Sequence, residues 1–282
     1  MTNNILKGKR GIIFGALDSK SIAWKVAEHA HAEGAKFVLT NAPIALRMGT
    51  ISELAEQTNS KVIPADATSM EDLKVLYEGA MKELGGKIDF VLHSIGMSVN
   101  VRKGKAYYEQ NHDWTMKGYD VSALSFHKTM QAAWELDALS EWGSVIGLSY
   151  IAAQRVFHTY NDMADNKAML ESIARSFGYH YGIRRNVRVN TISQSPTETT
   201  AGSGVAGFDG FYRFANDLSP LGNATSDECA DYCISMFSDY TRKVTMQNLF
   251  HDGGFSFTGM SETAMATYLK VMEDEKKASD KK

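Results

Sequence analysis

The sequence predicts an α/β fold, a doubly wound parallel sheet with helices on both faces, and three observations predict it. Short β-branched or apolar runs alternate with longer helical patterns along the chain. The first such run ends in a glycine and leads directly into a helix. No linker or break in composition divides the 282 residues. Alternation of this kind makes βαβ units, whose parallel sheet is covered on both faces.

Taken in order, the apolar runs Arg10–Phe14, Lys36–Thr40, Lys61–Ala65, Ile88–His93, Ser144–Leu148, Val187–Ile192 and Met246–His251 read as strands. The patterns between them, Ser21–Glu33, Ile51–Thr58, Ser69–Leu84, Val121–Leu136, Asn161–Tyr179 and Ser226–Phe237, read as helices. Residues 1–282 are expected to form a single domain. Met97–Asp113 and Ser193–Pro220 fit no element, and both follow strands at the carboxyl edge, where such sheets bind ligands. The second, rich in Gly and Thr, is expected to be a mobile substrate lid over about residues 195–220. The charged end, residues 273–282, is expected to fray.

Composition narrows the function. An apolar share of 44% and a charged share of 22% are those of an ordinary globular protein. With 30 basic against 33 acidic residues, no global basic field argues for nucleic acid. The chain shows no apolar run of membrane-spanning length and no signal-peptide pattern, and a cytoplasmic location is expected. Cys229 and Cys233, four residues apart, suggest two buried thiols in a reducing compartment. The eight histidines form no metal-binding pattern, so no metal is expected.

The first strand runs into Gly15-Ala16-Leu17-Asp18-Ser19-Lys20-Ser21-Ile22-Ala23. A glycine there permits a sharp turn, and the amides and helix N-terminus beyond it can cradle a pyrophosphate. Ser21 suits an N-cap or a phosphate contact. Asp66, after the third strand, can accept from an adenine amino group. Ser94-Ile95-Gly96, after the fourth, lets backbone pass close to adenosine. After the second strand, Asn41-Ala42-Pro43 offers no carboxylate for a ribose 2′-hydroxyl. Arg47 could meet a 2′-phosphate or simply be solvated.

Downstream, Tyr160 and Lys167 are seven residues apart. On a helix that is nearly two turns, so both lie on one face, roughly 10 Å apart along the axis. A nicotinamide ribose could lie between them: the phenol can hydrogen-bond an oxygen that becomes anionic, and the ammonium can hold ribose hydroxyls. Ten residues before Tyr160 stands Tyr150.

Together, Gly-x5-Ser-x-Ala, Ser-Ile-Gly, the Ser149-Tyr150 pair, Tyr-x6-Lys and the C-terminal Asp252-Gly253-Gly254 resemble the NAD(P)H-dependent enoyl-acyl-carrier-protein reductases of bacterial fatty-acid synthesis. These are a divergent branch of the short-chain dehydrogenase superfamily. The resemblance spans nearly the whole chain and implies a Rossmann-like fold, reduction of the trans-2 double bond of enoyl thioesters carried on acyl carrier protein, NADH with NADPH as an alternative donor, and a homotetramer. It would place Gly15, Ser21 and Ile22 at the pyrophosphate and Asp66 and Ala67 at the adenine. Ser94, Ile95 and Gly96 would line the adenosine ribose, and Lys167 the nicotinamide ribose. Pro196, Thr197 and Thr199 would pass the nicotinamide amide, with Tyr150 and Tyr160 facing the substrate. The chain departs from the family at Ala164-Asp165-Asn166, at Phe157-His158 and at Thr197, which bears on the shape of the acyl pocket. A carbonyl reductase is the alternative within the class, against which the Tyr-x6-Lys spacing argues. A non-catalytic dinucleotide-binding module is the alternative outside it.

Overall fold

The seven strands form where apolar runs recur. They are β1 (Arg10–Phe14), β2 (Lys36–Thr40), β3 (Lys61–Val62), β4 (Ile88–His93), β5 (Leu139–Ser149), β6 (Arg188–Gln194) and β7 (Asn248–His251). In the computed structural model, which describes residues 3–200, 202–205 and 207–280, they join one parallel sheet in the order β3-β2-β1-β4-β5-β6-β7. Ala201 and Ala206 of the expected lid, and the first two and last two residues of the chain, lie outside the described residues.

Both sheet faces are buried, and the strands alternate between two cores. Ile13, Phe90 and Leu92 point to one core, completed by helices α1 (Ile22–Ala32) and, far along the chain, Ser226–Phe237. Ile12, Phe14 and Val91 point to the other, covered by helices Met70–Leu84, Ser125–Glu135 and Asn161–Arg185. A strand with a core on each face must be apolar throughout, which is why these runs read as continuous. Cys229 and Cys233 are free thiols inside the first core, as their spacing suggested.

In chain order the remaining helices are α2 (Pro43–Leu46), α3 (Ile51–Gln57), α4 (Met70–Leu84), α5 (Val99–Arg102), α6 (His112–Tyr119), α7 (Ser125–Glu135), α8 (Asn161–Arg185), α9 (Phe208–Leu218), α10 (Ser226–Phe237) and α11 (Glu262–Ser279). Several boundaries correct the sequence reading. β3 is shorter than expected, Lys61–Val62, although the Ile63 and Ala65 amides still donate to the Leu39 and Asn41 carbonyls and place Pro64's missing N–H on the open edge. β5 starts five residues earlier than expected, at Leu139, with a register shift against β4 between Ile88 and Phe90. The helix expected to start at Val121 starts at His112 and passes through a wide π-helical turn, Asp120–Leu124, before α7. The two segments read as structureless contain α5 and α9. The tail expected to fray is helical as α11, although none of its residues is buried. Among the described residues, no helix is long and apolar enough to cross a membrane.

Candidate active site

The carboxyl ends of β1, β4, β5 and β6 meet at one edge, and two glycines set how closely they do so. Gly15 has φ +92°, and a Cβ there would stand 2.0 Å from the Ser94 carbonyl oxygen, so only glycine lets the turn after β1 lie against the end of β4. A Cβ on Gly96 would come within 2.8 Å of the Met163 methyl and 3.8 Å of Lys167 Nζ. Only glycine therefore lets the backbone lie against the Met163 methyl here, close to the Lys167 ammonium. The π-helical turn holds the next residue: Ser122 Oγ accepts from the Met97 amide at 2.9 Å and donates to the Met97 carbonyl at 3.0 Å.

Lys167 sits on the buried face of α8, 7% exposed, and donates to the Leu148 carbonyl at 2.7 Å. Burial pulls its pKa down to about 8, while the Glu171 carboxylate one turn on acts in the opposite direction. His93, at the end of β4, is fully buried. Its Nε2 lies 2.8 Å from Ser125 Oγ, and that hydroxyl donates to the Val121 carbonyl at 2.6 Å. The imidazole is therefore the donor at Nε2 and stays neutral, its pKa pushed down to about 3 by burial and then by Lys167.

Tyr160 is not on the helix as its spacing to Lys167 suggested. It is the residue before α8, and Asn161 after it has φ +43°, so the chain makes a left-handed turn just past Tyr160. Asn161 holds this turn by donating to the Lys105 carbonyl at 2.6 Å and accepting from the Asp162 amide at 2.6 Å. Tyr160 packs its ring 5.1 Å from that of Tyr150, which in turn lies 5.2 Å from Phe157 and meets Phe211 edge-on at 5.9 Å. Burial raises both phenols above their usual range, so both stay protonated as donors. The Tyr150 hydroxyl is buried with no hydrogen-bond partner among the described residues. An orphaned donor of this kind is costly unless something else fills its position.

Gly96, Met163, Lys167, Tyr150 and Tyr160 share one cavity of about 230 Å³. Its floor is Ile22, Ser94, Ile95, Gly96, Leu148 and Lys167. Its roof is the lid, through Pro196, Thr197 and Thr199 and then Phe208 and Phe211 of α9. Thr200 reaches across and donates to the Asp18 carboxylate at 2.6 Å, so the lid touches the turn after β1. The apolar lid end and the polar floor suit a ligand that is greasy at one end and hydroxyl-rich at the other.

A family model described as Enoyl-(Acyl carrier protein) reductase matches residues 15–256. The chain belongs to the enoyl-acyl-carrier-protein reductase family. It is 33% identical to "Enoyl-[acyl-carrier-protein] reductase [NADH] 2" of Rhizobium meliloti, over 92% of this chain and 95% of that one. It is 30% identical to the Bacillus cereus "Enoyl-[acyl-carrier-protein] reductase [NADH] FabI", over 90% and 99%. Among solved structures it resembles the FabI-NADH complex of Alistipes finegoldii, with a TM-score of 0.92 and 62% identity over 94% of each chain. The seven-stranded parallel sheet is thus the Rossmann-like α/β fold of this family.

In this enoyl-acyl-carrier-protein reductase family member, Ile22, Ser94, Ile95, Gly96, Tyr150, Tyr160, Lys167, Pro196, Thr197 and Thr199 all line the cavity. Four residues expected at the dinucleotide stand outside its wall. Gly15 packs behind it against Ser94. Ser21 Oγ donates to the Asp18 carbonyl at 2.5 Å and accepts from the Leu17 amide at 3.2 Å, so it braces the turn from within. Asp66 and Ala67 follow β3 at the far end of the same edge. There the Asp66 carboxylate caps Thr68 through its amide, at 2.9 Å, and its hydroxyl, at 2.7 Å. The sequence reading gave no place in the cofactor or catalytic site to Met97, Val101, Arg102, Met163, Gln194, Phe208 and Phe211, which also line the wall. Helices α5, α8 and α9 bring in Val101, Arg102, Met163, Phe208 and Phe211, while Met97 follows β4 and Gln194 ends β6.

Proposed function

We propose that this chain reduces the trans-2 double bond of enoyl thioesters with NADH, in fatty-acid elongation. The observation that carries the reading is the grouping in one cavity of a buried ammonium, Lys167, with two protonated phenols, Tyr150 and Tyr160, beside backbone at Gly96 that also lines it. The residues fit a dinucleotide: Gly96, with no Cβ, lets the backbone line the cavity beside Met163 and Lys167 Nζ, and the buried Tyr150 hydroxyl has no partner among the described residues. Ile22, Ser94, Ile95, Gly96, Lys167, Pro196, Thr197 and Thr199 would hold NADH, with Gly15 and Ser21 shaping the turn and Asp66 and Ala67 bordering the adenine end. NADH, when bound, supplies the hydride that the β-carbon of the substrate receives.

The chain's own part is electrostatic. As the β-carbon is reduced, negative charge gathers on the thioester oxygen. The Tyr160 phenol donates to that oxygen, and Tyr150 either donates beside it or walls the pocket. Lys167 binds the ribose hydroxyls through protons not used by the Leu148 carbonyl. Phe157, Phe208 and Phe211 exclude water and enclose the acyl chain, which strengthens each of these interactions.

The substrate is carried on acyl carrier protein, and the assembly is a homotetramer of the cytoplasm. The half-exposed edge strand β7 is available for pairing, whereas α10 packs against α1 and the core.

The test is absorbance at the NADH band with crotonyl thioester. Tyr160→Phe is expected to lower kcat by about 100- to 1,000-fold while leaving the Kd for NADH nearly unchanged. Full kcat in that variant would move the donor role to Tyr150. Turnover of a ketone but not of the enoyl thioester would favour the carbonyl-reductase reading.

A further inference from the structure

Beneath Lys167 lies a buried carboxylate that the chemistry above does not use. We propose that Glu171 is a positioning residue of this site: it clamps the segment that carries Tyr150 and supplies the negative charge that faces the Lys167 ammonium. The inference rests on the reading of the cavity as a dinucleotide site.

The geometry is that of two successive helical turns gripping two successive strand residues. Lys167 and Glu171 are four apart on α8 and so share a face. Lys167 donates to the Leu148 carbonyl at 2.7 Å. Glu171 accepts from Ser149 Oγ at 2.7 Å with one oxygen and from Gln154 Nε2 at 3.1 Å with the other. Tyr150 lies between those two donors in the chain. Holding both ends of Ser149–Gln154 fixes where its ring stands, and the unpartnered Tyr150 hydroxyl shows that the ring makes no polar bond of its own to do so.

Glu171 is 4% exposed, and among the described residues no cation forms an ion pair with it. A buried carboxylate held by two neutral donors is costly unless positive charge is near. Lys167 is that charge. The groups around the ammonium are His93 from β4, neutral, Tyr150 beyond β5 and Tyr160 before α8, both protonated, Arg102 from the loop after β4 across the cavity, and Glu171. Glu171 is the anion of this set. Burial alone favours a neutral lysine, and Glu171 opposes it. A neutral amine would bind ribose hydroxyls less strongly than a charged one.

The experiment measures the Kd for NADH against pH by fluorescence, together with kcat, for wild type, Glu171→Gln, Glu171→Asp and Ser149→Ala. Wild type should lose NADH affinity with a midpoint near 8, where Lys167 deprotonates. Glu171→Gln, with its charge removed and an acceptor kept, should move that midpoint down by about one pH unit, weakening Kd at pH 8 about fivefold. Ser149→Ala should keep the midpoint and lose kcat about tenfold as Tyr150 loosens. Glu171→Asp, which retains charge but falls short of Ser149, should do the same, and it carries the test if Glu171→Gln does not fold. Titration of an isotope-labelled lysine Cε resonance, assigned by its loss in Lys167→Arg, reads the same midpoint without substrate or NADH. An unmoved midpoint in Glu171→Gln, a lowered one in Glu171→Asp, or full kcat in both Ser149→Ala and Glu171→Asp overturns the proposal. Failure of the wild type to bind NADH would instead overturn the reading of the site.

Discussion

Asn161 shows how much one backbone angle can decide. Its φ of +43° turns the chain between Tyr160 and α8, and asparagine tolerates that region where a β-branched residue does not. The phenol owes its place among Tyr150, Phe157 and the lid to this turn. Asn161→Gly should therefore retain most activity, while Asn161→Val should lose kcat by at least tenfold and cost about 1–3 kcal/mol in urea unfolding. Equal kcat in the two variants would separate the turn from the position of Tyr160. His93 makes a second residue-scale prediction. Its folded-state pKa of about 3 lies below the ordinary histidine value, so the unfolded chain binds the extra proton. The stability it contributes is fully present above about pH 6.5 and drains as pH falls towards 3. Urea melts at pH 7 and pH 5 should differ by about 2 kcal/mol from this group, and His93→Gln should flatten that difference.

At the scale of elements, the loop after β4 and the lid face each other. Arg102 lines the cavity, and its Nε lies 4.0 Å from where a Cβ on Gly204 of the lid would stand. Arg102, Lys103 and Lys105 make no ion pair among the described residues, while Arg213 of α9 is paired with Asp217 at 3.2 Å. Arg102, which lines the cavity, and Lys103, which follows it at the end of α5, are thus free of ion pairs among the described residues, whereas the lid-helix cation is paired. Acyl carrier proteins are acidic, so Lys103→Glu should weaken use of a carrier-bound enoyl substrate about tenfold and flatten its salt dependence. Activity on crotonyl-CoA should change much less. Arg213→Glu, already offset by Asp217, should have the smaller effect of the two. Equal losses on both substrates would remove Lys103 from the docking surface.

At the scale of the molecule, the site is assembled from sheet order. β1, β4, β5 and β6 are neighbours in the sheet though scattered in the chain, and their carboxyl ends deliver Gly15, Ser94, Tyr150 and Pro196 to one edge. A ligand lying along that edge touches all four connections at once, so it should stabilise the whole fold. NADH at a hundredfold excess over Kd should raise unfolding free energy by about 2.7 kcal/mol, read as a rise in Tm. Lys167→Ala should lose most of that rise while Tyr160→Phe keeps it. A rise retained in Lys167→Ala would mean the ribose is held elsewhere.

The sequence by itself determined the seven strands, because runs such as Gly-Ile-Ile-Phe and Phe-Val-Leu are apolar on both faces and only a doubly covered sheet buries both. It pointed to Ser94-Ile95-Gly96, Tyr150, Tyr160 and Lys167 on the cavity wall, because the first two follow directly from strands and the last two stand seven residues apart at the start of one helix. It did not determine the helices inside the long loops. The lid helix Phe208–Leu218 lies after a Gly- and Thr-rich stretch that masks its start, and it buries Phe208 and Ala215 against residues far away in the chain. Nor did it show that Tyr160 leaves the helix, since spacing carries no sign for φ. The role of Glu171 was illegible for the same reason. Its two donors, Ser149 at the end of β5 and Gln154 five residues beyond, and the Leu148 carbonyl that Lys167 holds all come from outside α8, and only folding brings them to that helix face.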